Sequence, residues 1–197
     1  MKKRHFLGGA ALAGIAAAVA TPARAAGPTP GQGPTLLTVT GAIAKPNRGK
    51  LDPVKDQMMH KQKISFDQAR AFDFAAIAAL PAISIKPTLE YDGKQHTLSG
   101  PLLLDVMKAA GARLNDDSKL LLRAVDGYVA GVTVAQARAQ RYIVATHLDG
   151  ATMPLGGLGP LWAIYDADKV PGMAAKPLPE RFSACPWALY HIEVAEA

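Results

Sequence analysis

The sequence predicts a mixed α+β domain. Three observations carry the prediction: many short strand candidates, two or three helical stretches among them, and Asp-Gly dipeptides at 126–127 and 149–150 where strands reverse. The first 25 residues read as a leader. The roughly 170 that follow suit one domain with its own core rather than two.

The leader is MKKRHFLGGAALAGIAAAVATPARA. It has a basic start (Lys2, Lys3, Arg4), an apolar run from Phe6 to Ala20, and a small-residue site at Ala23-Arg24-Ala25. That layout predicts a secretory signal peptide cleaved after Ala25 and a periplasmic mature protein. Lys3-Arg4-His5-Phe6-Leu7 resembles the twin-arginine export signal, with Lys in place of the first Arg; general secretion stays open. No later segment is long and apolar enough to span a bilayer.

Residues 26–35 are rich in Pro and Gly and read as a flexible tether, leaving 36–197 as the folded domain. LLTVTGAI (36–43) alternates as a strand, with Leu37, Val39 and Gly41 against Thr38 and Thr40. Residues 45–62 are polar and irregular, which predicts an exposed loop or insertion. ISFD (64–67) is a short strand candidate. QARAFDFAAIAAL (68–80) reads as a helix stopped before Pro81.

ISIKPTLE (83–90) is extended, and Tyr91-Asp92-Gly93-Lys94 is a turn. PLLLDVMKAAG (101–111) reads as a helix with Pro101 at its start and Gly111 at its end. KLLLRAVDGYVAGVTV (119–134) predicts a hairpin about Asp126-Gly127, and AQARAQ a helical turn. YIVATHLDG (142–150), LWAIYD (161–166) and PWALYHIEV (186–194) complete the strands. His147 and His191 fall at strand surfaces on this reading, and Arg123 faces water.

Charge and cysteine content narrow the function. The whole chain is +6, but the leader carries four cations and no acid, so about +2 remains. No dense basic patch is present, which argues against nucleic acid as a partner. Cys185 is the only cysteine, so neither an internal disulfide nor a cysteine-rich metal site can form; a buried thiol is expected. Met58-Met59-His60 offers thioether and imidazole to copper, but no second ligand cluster supports it, and the segment reads as loop.

The order of segments carries a resemblance. LTVTG, FDFAAIAALP, HTLSGPLLLDVMKAAGA, LLLRAVDGYVAGV, ATHLDGATMPL, GPLWAIY and PWALYHIEV follow one another across residues 36–194. This series resembles the molybdopterin-binding domain of the sulfite-oxidase fold, in particular the small exported proteins made of that domain alone. The resemblance implies an α+β fold of mixed sheets with a few short helices. It also implies a molybdenum–pterin cofactor in the family's enzymes, held by a cysteine thiolate before the 101–111 helix. The matching approach here, ISIKPTLEYDGKQHTLSG, has no cysteine, and Cys185 lies elsewhere. Trp162 and Pro186 stand where the family has an Arg and a Lys for the cofactor's phosphate.

These departures point to a pocket for a pterin without metal. The resemblance implies this as well, since the small exported domains it points to include regulators that bind simple pterins without metal and signal to a membrane-bound enzyme of cyclic-di-GMP turnover. A non-catalytic periplasmic pterin sensor or adaptor is therefore the expected function, with the periplasmic domain of a membrane signalling protein as partner. The alternative is a molybdenum-cofactor-dependent oxidoreductase lacking the usual cysteine ligand.

Five residues are candidate pterin contacts. Trp162 offers a flat face after the loose GGLG approach, or is a core tryptophan. His96 precedes the 101–111 helix, where it is a ring-nitrogen partner or a surface-turn residue. Asp126 and Tyr128 serve either the hairpin's geometry or the ligand's donor edge, and Glu90, like Asp92, competes for that acceptor role.

Overall fold

The computed structural model describes residues 31 and 33–195. The expected leader and most of the expected tether lie outside the described residues. The described end of the tether is held in place: the N–H groups of Gly31 and Gly33 donate to Asp73 Oδ2 at 2.7 and 2.9 Å.

The architecture is mixed α+β. In chain order the elements are β1 (Leu37–Gly41), α1 (Gln57–Lys61), β2 (Arg70–Phe72), α2 (Phe74–Ala78), β3 (Ala82–Ile85), β4 (Leu98–Pro101), α3 (Leu103–Ala110), β5 (Lys119–Ala124), β6 (Val129–Thr133), α4 (Val134–Ala139), β7 (Ile143–Ala145), β8 (His147–Leu148), β9 (Ala151–Thr152), β10 (Trp162–Ile164), α5 (Pro171–Ala174) and β11 (Leu189–Ala195). They form a five-stranded sheet in the order β2-β1-β11-β5-β6, a four-stranded sheet β3-β4-β8-β9 and the pair β10-β7. β1 and β11 run parallel; the other strand pairs are antiparallel.

Register gives the large sheet two distinct faces. Leu37, Val39, Leu120, Leu122, Val132, Ile192 and Val194 lie on the core side, where they meet α3, α4 and the β7–β10 pair in one apolar cluster. Burying each such side chain stabilises the fold by about 1.5–3 kcal/mol. Thr38, Thr40, Arg123, His191 and Glu193 share the opposite, polar side, as alternation along paired strands requires.

That polar side is covered, not exposed. Residues 45–62, expected as an exposed loop, contain α1 and place Met59 beside Ile64, Phe66, Ala69 and Tyr190 in a second apolar cluster. Arg48 pins this cover through Asp56 at 2.5 Å and stacks over Phe66. His191, expected at a strand surface, is consequently fully buried. Its Nε2 meets Thr40 Oγ1 at 2.9 Å, and Nδ1 has no partner. Arg123 is likewise engaged, with Glu193 at 3.2 Å.

Several boundaries differ from the sequence reading. The expected helix 68–80 is β2 followed by the shorter α2, because Phe72 pairs with Leu37 and Asp73 then caps the helix by accepting from the Ala76 N–H. Residues 64–67 form no strand and contribute Ile64 and Phe66 to the second cluster. Pro101 ends β4 instead of opening α3; Gly111 closes that helix in the left-handed conformation, as expected. Both Asp-Gly turns are present. Asp149 and Gly150 take positive φ and join β8 to β9 by a two-residue loop.

One close approach joins the smaller sheets. A Cβ at Gly100 on β4 would lie 2.0 Å from the Val144 carbonyl oxygen on β7. Only glycine lets these backbones touch.

Candidate ligand-binding site

A cavity of about 230 Å³ opens where three segments meet. The turn after β3 supplies Glu90 and Tyr91, and the β5–β6 hairpin supplies Asp126 and Tyr128. The stretch leading into β11 supplies Phe182, Ser183, Cys185 and Trp187. Three of the five expected site residues, Glu90, Asp126 and Tyr128, thus come together from parts of the chain far apart in sequence.

Each wall has a local cause. The Tyr91 turn closes through hydrogen bonds from Leu89 N–H to the Lys94 carbonyl and from Gly93 N–H to the Leu89 carbonyl. Asp126 shapes the hairpin by accepting from the Tyr128 N–H at 2.9 Å. The Tyr128 hydroxyl then donates to the Ser183 carbonyl and ties the hairpin to the third wall. Asp168 joins the remaining pair of walls. Its Oδ2 accepts from both the N–H and the hydroxyl of Thr88 at 2.8 Å, and its Oδ1 meets Arg181 at 2.9 Å.

Aromatic rings crowd the mouth. Tyr91 is 56% exposed, Tyr128 49% and Trp187 38%, unusual values for side chains of that size. Trp187 was not among the expected contacts, because PWALYHIEV reads as one continuous strand. Instead β11 begins at Leu189, and Ala188 takes φ 48°, in the left-handed region. The break leaves Trp187 outside the strand's alternation. The adjacent proline is the sequence signal that could have revealed it.

Trp162, expected either to offer a stacking face or to sit in the core, lies behind the cavity. It is 1% exposed and does not line the cavity. Its indole N–H donates to the Cys185 carbonyl at 2.8 Å, and its ring centroid lies 6.4 Å from that of Tyr91. It is the core tryptophan of the two readings, and it backs two cavity walls.

His96 also stands apart from the cavity lining. Its Nδ1 lies 2.6 Å from Asp149 and its Nε2 3.1 Å from Asp92. A neutral imidazole has one N–H, so making both bonds as donor requires the protonated ring. The Asp149 contact, then the Asp92 contact, raises the His96 pKa above its ordinary value. His96 therefore fastens the turn that carries Glu90 and Tyr91 to the β8–β9 tip.

The floor is thiol and apolar. Cys185 is buried, as expected, and burial pushes its pKa up to about 12. It is a thiol near neutral pH, not a thiolate. Burial, then the Glu90 carboxylate, likewise raises the Tyr91 phenol. Among the described residues that line the cavity, none is lysine, arginine or histidine. The chemistry on offer is aromatic faces, carboxylate acceptors and one protonated sulfur.

A molybdenum–pterin cofactor would ask for a thiolate and for cations at its phosphate. The cavity's residues do not fit that group. Nor, among the described residues, does any group of three or more His, Cys, Asp or Glu side chains stand ready for a metal ion.

A larger cavity of about 410 Å³ lies under the cover segment, lined by Arg48, Asp56, Met58, Met59, Leu155 and Tyr190 among others. Its Arg48 and Asp56 already satisfy each other. None of the five expected contacts lines it, so the smaller cavity is the candidate site despite its size.

No family model matches the chain, and no curated protein matches it.

Proposed function

We propose that the chain is a non-catalytic binding protein for a bare pterin, exported to the periplasm, where it reports pterin occupancy to a membrane-bound signalling partner. One observation carries the reading: a cavity with three exposed aromatic side chains at its mouth and the two carboxylates Glu90 and Asp126 in its lining. A pterin is flat, so aromatic faces suit its rings. Its amino group and ring N–H form a donor edge that a carboxylate accepts as two parallel hydrogen bonds. The resemblance of the segment order to the sulfite-oxidase fold supplies the ligand class, and the leader-like N-terminus supplies the compartment.

Titration of the purified chain with oxidised and reduced pterins, followed by pterin fluorescence, tests the reading. Saturable quenching is expected, and Trp187→Ala should weaken binding about tenfold by removing one stacking face. Absence of binding by every pterin tried would contradict it.

A further inference from the structure

We infer that this cavity selects its ligand by charge, accepting neutral or cationic pterins on Glu90 and Asp126 and refusing pterins that carry a phosphate. The inference rests on the pterin reading and names the ligand class within it.

The lining has a one-sided charge. Glu90 comes from the turn after β3, and Asp126 comes from the β5–β6 hairpin. Two separate walls therefore carry acceptors, and a ligand entering between them meets negative charge on both sides. No lysine, arginine or histidine lines the cavity, and three cations on neighbouring segments are already paired. Arg181 bonds Asp168 and the carbonyls of Ala174 and Lys176. Lys169 pairs with Asp166 at 2.9 Å, and Arg123 with Glu193 at 3.2 Å. Nothing in the lining is left to neutralise a phosphate.

Coulomb repulsion is strong at these short ranges, and salt reaching the solvent-exposed mouth weakens it. The aromatic mouth acts in the same direction. Ring faces of Tyr91, Tyr128 and Trp187 attract positive charge and positively polarised N–H edges, and they repel anions. Glu90 and Asp126 are thus specificity-determining residues. Replacing either by its amide keeps the shape and removes the charge.

The test compares two probes on the same chain: a neutral reduced pterin alcohol and its phosphate monoester, each titrated by calorimetry at low and at physiological salt. The neutral pterin should bind, and the ester should bind at least about tenfold more weakly, with the gap narrowing as salt rises. Glu90→Gln with Asp126→Asn should weaken the neutral pterin and shrink the gap, while circular dichroism verifies that the variant is folded. Equal or tighter binding of the ester overturns the charge selection and leaves the pterin reading standing. Binding of neither probe overturns the pterin reading, and the selection with it.

Discussion

His191 shows how one side chain records the folding of a whole segment. It is buried among Thr40, Arg123 and the cover, with one ring nitrogen unpartnered. Burial, then the Arg123 charge, lowers its pKa to about 3, against 6.5 for a free imidazole. Below pH 6.5 the unfolded chain takes up a proton there that the folded chain refuses. Stability contributed by the neutral ring is therefore complete above pH 6.5 and is lost as pH falls toward 3, at about 1.4 kcal/mol per pH unit. Between pH 7 and 5, denaturant unfolding should show the native chain losing more stability than His191→Gln as pH falls, because both proteins share the opposing His96 contribution. Equal pH slopes in the two proteins would refute the assignment. His96 has the opposite sign: its raised pKa gives stability that is present below pH 6.5 and fades as pH rises through the folded value.

Among the elements, the cavity depends on parts that never touch a ligand. Asp168 follows β10 and holds both Thr88 and Arg181, joining the Glu90–Tyr91 turn to the stretch that carries Trp187. Asp168→Ala should cost about 2 kcal/mol of stability, and it should lower pterin affinity although Asp168 lies outside the lining. Unfolding curves and the fluorescence titration check both; unchanged affinity in a destabilised variant would show the walls to be independently held. Turn chemistry made much of this scaffold legible in advance. Asp126-Gly127 and Asp149-Gly150 specify their reversals locally, and the alternation of 119–134 survives folding intact. Non-local effects were not legible. Pairing of Phe72 with Leu37 converts part of an Ala-rich helical pattern into a strand, and the left-handed Ala188 frees Trp187 from a run that alternates convincingly. Glu90, Asp126 and Tyr128 meet at one cavity because local turns carry them there, whereas long-range burial places Trp162 and ion pairing places His96 outside its lining.

At the scale of the whole molecule, charge is unevenly placed. Residues 45–63 hold six lysines and arginines against two aspartates, while the candidate cavity is lined by carboxylates and no cation. Among the described residues no helix is long and apolar enough to cross a membrane. The proposed function makes one central claim, that the cavity takes a pterin without molybdenum. Mass spectrometry of small molecules released from natively purified protein, with molybdenum measured on the same sample, tests this most directly. The account predicts a pterin without phosphate and without stoichiometric metal. Release of molybdopterin together with near-stoichiometric molybdenum would contradict it.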